Sequence, residues 1–118
     1  MNRILQYLPF VTLIMFMACT DRVEPRMEEP DGLINRDSMV AILVDLHLTE
    51  AALFDKQSAG YNTEVLKYDY YRAVLDKHGI SREQFESSYR YYQDDLESFD
   101  KLYMDVVNAL SRMQSATE

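Results

Sequence analysis

Two side chains in the stretch "VDLHLTEAAL" have the chemistry and the spacing to act together. His47 and Glu50 are three residues apart, which places both on one face of an α-helix. On the helical wheel Glu50 falls between Met39 and Leu43, inside the apolar arc where leucine would be expected. A carboxylate buried there needs an ion pair, hydrogen bonds or a proton. The pattern therefore predicts a buried polar pair.

This pair has a structural and a functional interpretation, and solvent exposure or a binding pocket is the remaining alternative. The functional one is a metal-dependent or acid–base site, with His78 or a further carboxylate completing the set around His47 and Glu50. Bundle metal sites take Glu-x-x-His pairs from two helices, and this chain has one reversed copy. The structural one is a pair that holds helices in register, with tyrosine hydroxyls as partners. We favour the structural interpretation and predict no metal and no cofactor.

Other polar groups are expected to be structural. Asp45 points away from His47, because residues two apart diverge on a helix, and we expect it to be solvated or paired with a neighbouring helix or the tether. His78 lies near a helix end, where a cation is favourable. No serine or cysteine nucleophile has a plausible base, and there is no phosphate loop. The chain is therefore predicted not to be an enzyme.

The only cysteine, Cys19, ends an apolar run from Ile4 to Met17. As a helix this run would cover roughly 21 Å, short of the ~30 Å hydrocarbon core, which favours a secretory signal over a membrane span. Ala18 before Cys19 resembles the lipobox of bacterial lipoproteins, although Phe16 and Met17 depart from its usual residues. The resemblance implies that Cys19 is acylated and that cleavage before it makes Cys19 the mature N-terminus. A plain signal peptide and an uncleaved anchor are the alternatives.

Charge and composition limit the partners. The chain has 12 basic and 20 acidic residues, a net charge of −8, which argues against nucleic acid, whose affinity comes mainly from cation contacts to phosphate. Residues 19–34 carry prolines, a glycine and many charges without periodicity, and are predicted to be a flexible tether between the 1–18 signal peptide and a domain over 35–116. Thr20 lacks the aspartate that retains some lipoproteins at the inner membrane, which favours the outer membrane.

Helical spacing of apolar residues predicts an all-α bundle of about four helices. The first three are expected at about residues 35–58, 63–78 and 82–92. The fourth is expected to begin at a cap formed by Asp94 and Glu97. In "LDKHGISREQF", Gly79 and Ile80 are predicted to form a Schellman motif, and Ser81 with Gln84 a capping box. The last helix carries a seam that is expected to pack within the domain; it comprises Leu96, Phe99, Leu102, Tyr103, Val106, Val107, Leu110 and Met113.

Seven tyrosines fall between Tyr61 and Tyr92. Tyr68, Tyr91 and Tyr61 do not fit the inward-facing stripes of their helices. Tyrosine is amphipathic and is enriched at interfaces. These residues predict either the rim of a small core or a surface for a protein or peptide partner.

With these segments in this order, the chain resembles a family of small Gram-negative lipoproteins that share a helical domain of unknown function. The similarity covers roughly residues 33–112; "MVAILVDLHLTEAAL" and "YRAVLDKHGISREQFESSYRYY" carry it. Members often open the last helix with proline, where this chain has Asp94 and Asp95. The resemblance implies the fold and a membrane address, but no activity. We therefore expect a lipid-anchored, non-enzymatic protein of the cell envelope that binds an unknown envelope protein or peptide.

Overall fold

The computed structural model describes residues 25–118 and shows four helices. They are α1 (Arg36–Ser58), α2 (Glu64–Lys77), α3 (Arg82–Gln93) and α4 (Leu96–Thr117). No strand occurs within this range. The predicted all-α bundle is confirmed, and each helix lies close to its predicted bounds.

Each helix packs against the next one along the chain, and α4 returns to pack against α1. The four helices thereby surround one core. Its buried members are Ile34, Met39, Ile42, Leu43, Val44, Val74, Leu75, Phe85, Leu102 and Val106. α1 supplies four of these, more than any other helix, because its wide apolar arc contacts both α2 and α4.

The junction between α2 and α3 has the predicted Schellman geometry. The Ile80 N–H donates to the Leu75 carbonyl at 3.0 Å, and the Gly79 N–H donates to the Asp76 carbonyl at 3.0 Å. Gly79 has a φ of +65°, a conformation that is easy only for glycine. Ser81 Oγ accepts from the Gln84 N–H at 3.1 Å, so this serine caps α3 as predicted.

Two predicted caps differ in detail. The Gln84 side chain does not close the capping box but donates to the Gly32 carbonyl at 2.8 Å. α4 is capped by Asp95, which accepts from the N–H groups of Glu97 and Ser98. The Ser98 N–H lowers the pKa of Asp95 because it stabilises the ionised carboxylate. Asp94 accepts from the Met27 N–H at 2.6 Å, so the predicted cap was wrong by one residue.

Residues 25–34 lie against α3 instead of standing clear of the domain. Ile34 is only 3% exposed; its N–H donates to the buried Ser88 Oγ at 3.0 Å, and its carbonyl accepts from the Tyr92 hydroxyl at 2.8 Å. Contacts of Arg26 and Met27 with Asp95 and Asp94 extend this packing toward Pro25. The predicted tether boundary at residue 34 is therefore too late, and this segment belongs to the domain.

The seam predicted for α4 is narrower than expected. Leu102 and Val106 are fully buried. By contrast, Leu96, Val107 and Met113 each leave about half or more of their surface exposed. The reason is that α4 packs mainly against α1 and α3, which cover one side of it. Among the helices of residues 25–118, none is long and apolar enough to cross a membrane.

Candidate functional site

His47 and Glu50 lie close together, as their spacing predicts, but at the surface. Their nearest atoms, His47 Nδ1 and Glu50 Oε2, are 3.4 Å apart, and the Glu50 side chain is 70% exposed. The prediction of a buried carboxylate was therefore wrong. From residue 48 to the end of α1 only Leu53 is buried, because this part of the helix extends past the core. The helical wheel correctly predicted the direction of the Glu50 side chain, but it did not predict that the neighbouring helices leave this side chain exposed.

His47 ends a row of six aromatic rings that connects all four helices. Successive centroids lie 4.9–6.1 Å apart, within the range of favourable aromatic pairs. The row comprises Tyr71, Phe85, Tyr89, Phe99, Tyr103 and His47. The Tyr89 and Tyr103 hydroxyls are 3.2 Å apart, and burial, followed by this hydrogen bond, raises the pKa of Tyr89. The partner of His47 is thus the ring of Tyr103 and not a tyrosine hydroxyl.

A second histidine–carboxylate pair joins two helices on another side of α1. Asp45 Oδ2 is 2.7 Å from His78 Nε2 and 2.9 Å from Lys77 Nζ, and the Asp45 side chain is only 22% exposed. The hydrogen bond from Lys77, with a further one from His78, lowers the pKa of Asp45 despite its partial burial. Pairing with a neighbouring helix was one of the predicted alternatives for Asp45, and it is the one observed.

His78 follows the last residue of α2, where a cation interacts favourably with the C-terminal end of the helix dipole. Asp45 and His78 supply two potential metal ligands, and the neighbouring group is the ammonium of Lys77. Within residues 25–118 no three histidine, cysteine or acidic side chains are grouped as a metal site would require. The arrangement acts as an interhelical ion pair.

Four large apolar or aromatic side chains near the α1–α2 turn are two-thirds exposed or more. We call them the tyrosine face: Phe54, Tyr61, Val65 and Tyr68. Val65 and Tyr68 share one side of α2, being three residues apart. Lys67 lines one groove with Phe54 and another with Tyr68, so the two ends of the face are connected. Tyr68, singled out from the sequence, is part of this surface.

Tyr91 has a different environment from Tyr68. It is half-buried, and the Arg26 guanidinium lies 5.7 Å from its ring centroid, within the range of a cation–π contact. Arg26 also reaches Asp95 at 3.5 Å. The ring is therefore engaged by the N-terminal segment of its own domain. Cys19, the predicted lipidation site, lies outside the described residues.

The fold and these surfaces define a small helical domain with an interhelical ion pair at Asp45 and an exposed aromatic face. A family model described as a domain of unknown function, DUF4296, matches residues 30–116. The match covers most of the chain, and the protein belongs to this family. The match begins before Ile34, in agreement with the packing of that residue. Searches of curated proteins and of solved structures returned no match.

Proposed function

We propose that this protein is a non-enzymatic, lipid-anchored component of a bacterial cell envelope whose helical domain binds a protein or peptide through the tyrosine face. The observation that supports it is the exposure of Phe54, Tyr61, Val65 and Tyr68 on adjoining segments. Single exposed apolar residues are ordinary. A connected group of them is typical of interaction surfaces, and tyrosine suits such surfaces because its ring and hydroxyl serve apolar and polar partners.

The anchor in this proposal is an acylated Cys19 in the outer membrane. Five residues lie between Cys19 and Pro25, and the six Cα–Cα steps across them span at most about 20 Å at full extension. Because residues 25–34 pack on α3, they add no free length. A lipidated protein of this kind would hold its domain near the bilayer surface, so its partner is expected in or close to the same membrane.

Two measurements test the proposal. For the anchor, Cys19→Ala is expected to release the protein from membranes or to leave an unprocessed precursor, and mass spectrometry of the wild type should show acyl groups on Cys19. A mature chain that begins downstream of Cys19 without acyl groups would contradict it.

For the tyrosine face, a photoreactive amino acid is placed at position 65 or 68 of the full chain in the native envelope. Position 111, an exposed serine on α4, serves as the matched control. We expect one defined adduct from positions 65 and 68 and none from 111, with Tyr61→Ala reducing the yield. The same adducts from all three positions, or none at all, would count against a binding function of this face.

A further inference from the structure

A groove between α2 and the start of α3 has a distinct chemical character. It has a volume of about 340 Å³ and is lined by Lys67, Tyr68, Tyr71 and Arg82. Tyr71 is half-buried and packs edge-to-face on the buried Phe85 at 6.1 Å, so this wall of the groove is held by the core. The Schellman turn at Gly79 and the Ser81 cap fix the position of Arg82 relative to α2. The Tyr71 wall and the backbone at Arg82 are therefore fixed by the fold.

The charges at this groove are opposite to those of the whole protein. Its lining contains two cations, in a chain with a net charge of −8, although the Glu86 carboxylate pairs with one of them, Arg82. The Arg82 Nε donates to Glu86 Oε1 at 2.7 Å, which orients the guanidinium, while the Arg82 side chain stays 56% exposed. Within residues 25–118, Lys67 is exposed and has neither an ion pair nor a side-chain hydrogen bond.

The dimensions limit what the groove can hold. Small-molecule sites usually range over about 300–1,000 Å³. This groove lies at the lower end of that range, so it accommodates one or two side chains and not a whole helix. Aromatic walls favour an apolar or aromatic side chain, and the flanking cations favour a carboxylate beside it. An arginine fork and a lysine ammonium are the usual partners of carboxylates.

We infer that this groove binds an acidic segment of a partner protein, with a carboxylate between Lys67 and Arg82 and a neighbouring apolar side chain against Tyr68 and Tyr71. The inference rests on the proposed binding function and specifies its partner. An anionic bilayer is a poorer candidate, because it would repel the acidic domain as a whole. A short peptide interacts mainly with the charges that line the groove.

The test uses fluorescence anisotropy with the full, lipidated chain in non-ionic detergent. The probe is a labelled mixture of nonapeptides built from Asp, Glu, Ser, Leu and Phe, compared with a matched mixture in which Asn and Gln replace the acids. We expect the acidic mixture to bind and the amide mixture to bind about tenfold more weakly. Lys67→Gln and Arg82→Gln should each reduce acidic binding severalfold, while Arg90→Gln, an exposed arginine elsewhere on α3, should not.

Several outcomes would overturn the inference: equal binding of the two mixtures, unchanged binding in Lys67→Gln and Arg82→Gln, displacement of the peptides by millimolar inorganic phosphate, or binding of the protein to anionic vesicles through the same two residues.

Because Arg82 also contacts Glu86, circular dichroism must show that Arg82→Gln remains folded; Lys67→Gln is the second, independent variant. If position 68 crosslinks a partner in the envelope but acidic peptides do not bind, this inference fails while the proposed function stands.

Discussion

The two histidine–carboxylate pairs of α1 show how differently similar residues are used on one helix. His47 and Glu50 belong to the same helix and lie 3.4 Å apart, with the Glu50 side chain largely exposed and that of His47 about one-third exposed. Asp45 and His78 come from two helices, lie 2.7 Å apart and are mostly buried. Surface ion pairs contribute little because water screens them and long side chains lose entropy. A pair that bridges two packed helices has its geometry set by the core, so we expect Asp45–His78 to matter more for stability.

The largest effect is expected from removing Asp45. Asp45→Ala leaves the half-buried His78 and the Lys77 ammonium without their shared acceptor, and should lower the free energy of unfolding by about 1–3 kcal/mol. Glu50→Ala is the matched control and should change it by less than about 0.5 kcal/mol, as for most surface substitutions. Urea denaturation measures both. Equal losses in the two variants would show that burial does not distinguish the pairs.

The pH dependence of the Asp45 contribution follows from its lowered pKa. A carboxylate whose folded-state pKa lies below its unfolded value of about 3.9 stabilises the protein above that pH and loses the effect as the pH falls through the folded value. The difference in unfolding free energy between wild type and Asp45→Asn should therefore be full at pH 7 and shrink below about pH 4. A difference that grew as the pH fell below about 4 would contradict the assignment of Lys77 and His78 as the stabilising partners.

Double-mutant cycles separate the two pairs more finely. Coupling between Asp45→Ala and His78→Ala should reach about 1 kcal/mol, in the range for residues in direct contact. Coupling between His47→Ala and Glu50→Ala should stay near the few tenths of a kcal/mol of an exposed pair on one helix. The cycles are measured by chemical denaturation at fixed ionic strength. A larger coupling for His47 and Glu50 would reverse the comparison.

The smallest effect is expected from metal ions. If His47 and Glu50 form only a surface pair, zinc, manganese or a chelator should leave the melting temperature of the wild type unchanged. A bound metal would instead stabilise the folded state by mass action. Stabilisation by metal that disappears in both Glu50→Gln and His47→Ala would establish the alternative, a metal site built on these two residues.

Local sequence patterns predicted the helices and most of their ends. Apolar spacing identified the four helices, and the residues around Gly79 predicted the turn between α2 and α3, because caps and Schellman motifs depend on a few neighbouring residues. The cap of α4 shows the limit of this approach, because Asp94 was predicted and Asp95 is observed. Both aspartates suit a cap, and only the position of the N-terminal segment, which uses Asp94, separates them.

The sequence by itself thus determines the fold class, most helix boundaries and the direction of each side chain around its helix axis. Only the tertiary structure decides which of those side chains are buried by neighbouring helices. Glu50 points along the apolar arc yet is exposed, because the core does not reach this part of α1. Asp45, by contrast, meets His78 across 33 positions of the chain through the register of two helices. Helical periodicity is a local property of the backbone, but burial and pairing depend on where the neighbouring helices begin, cross and end.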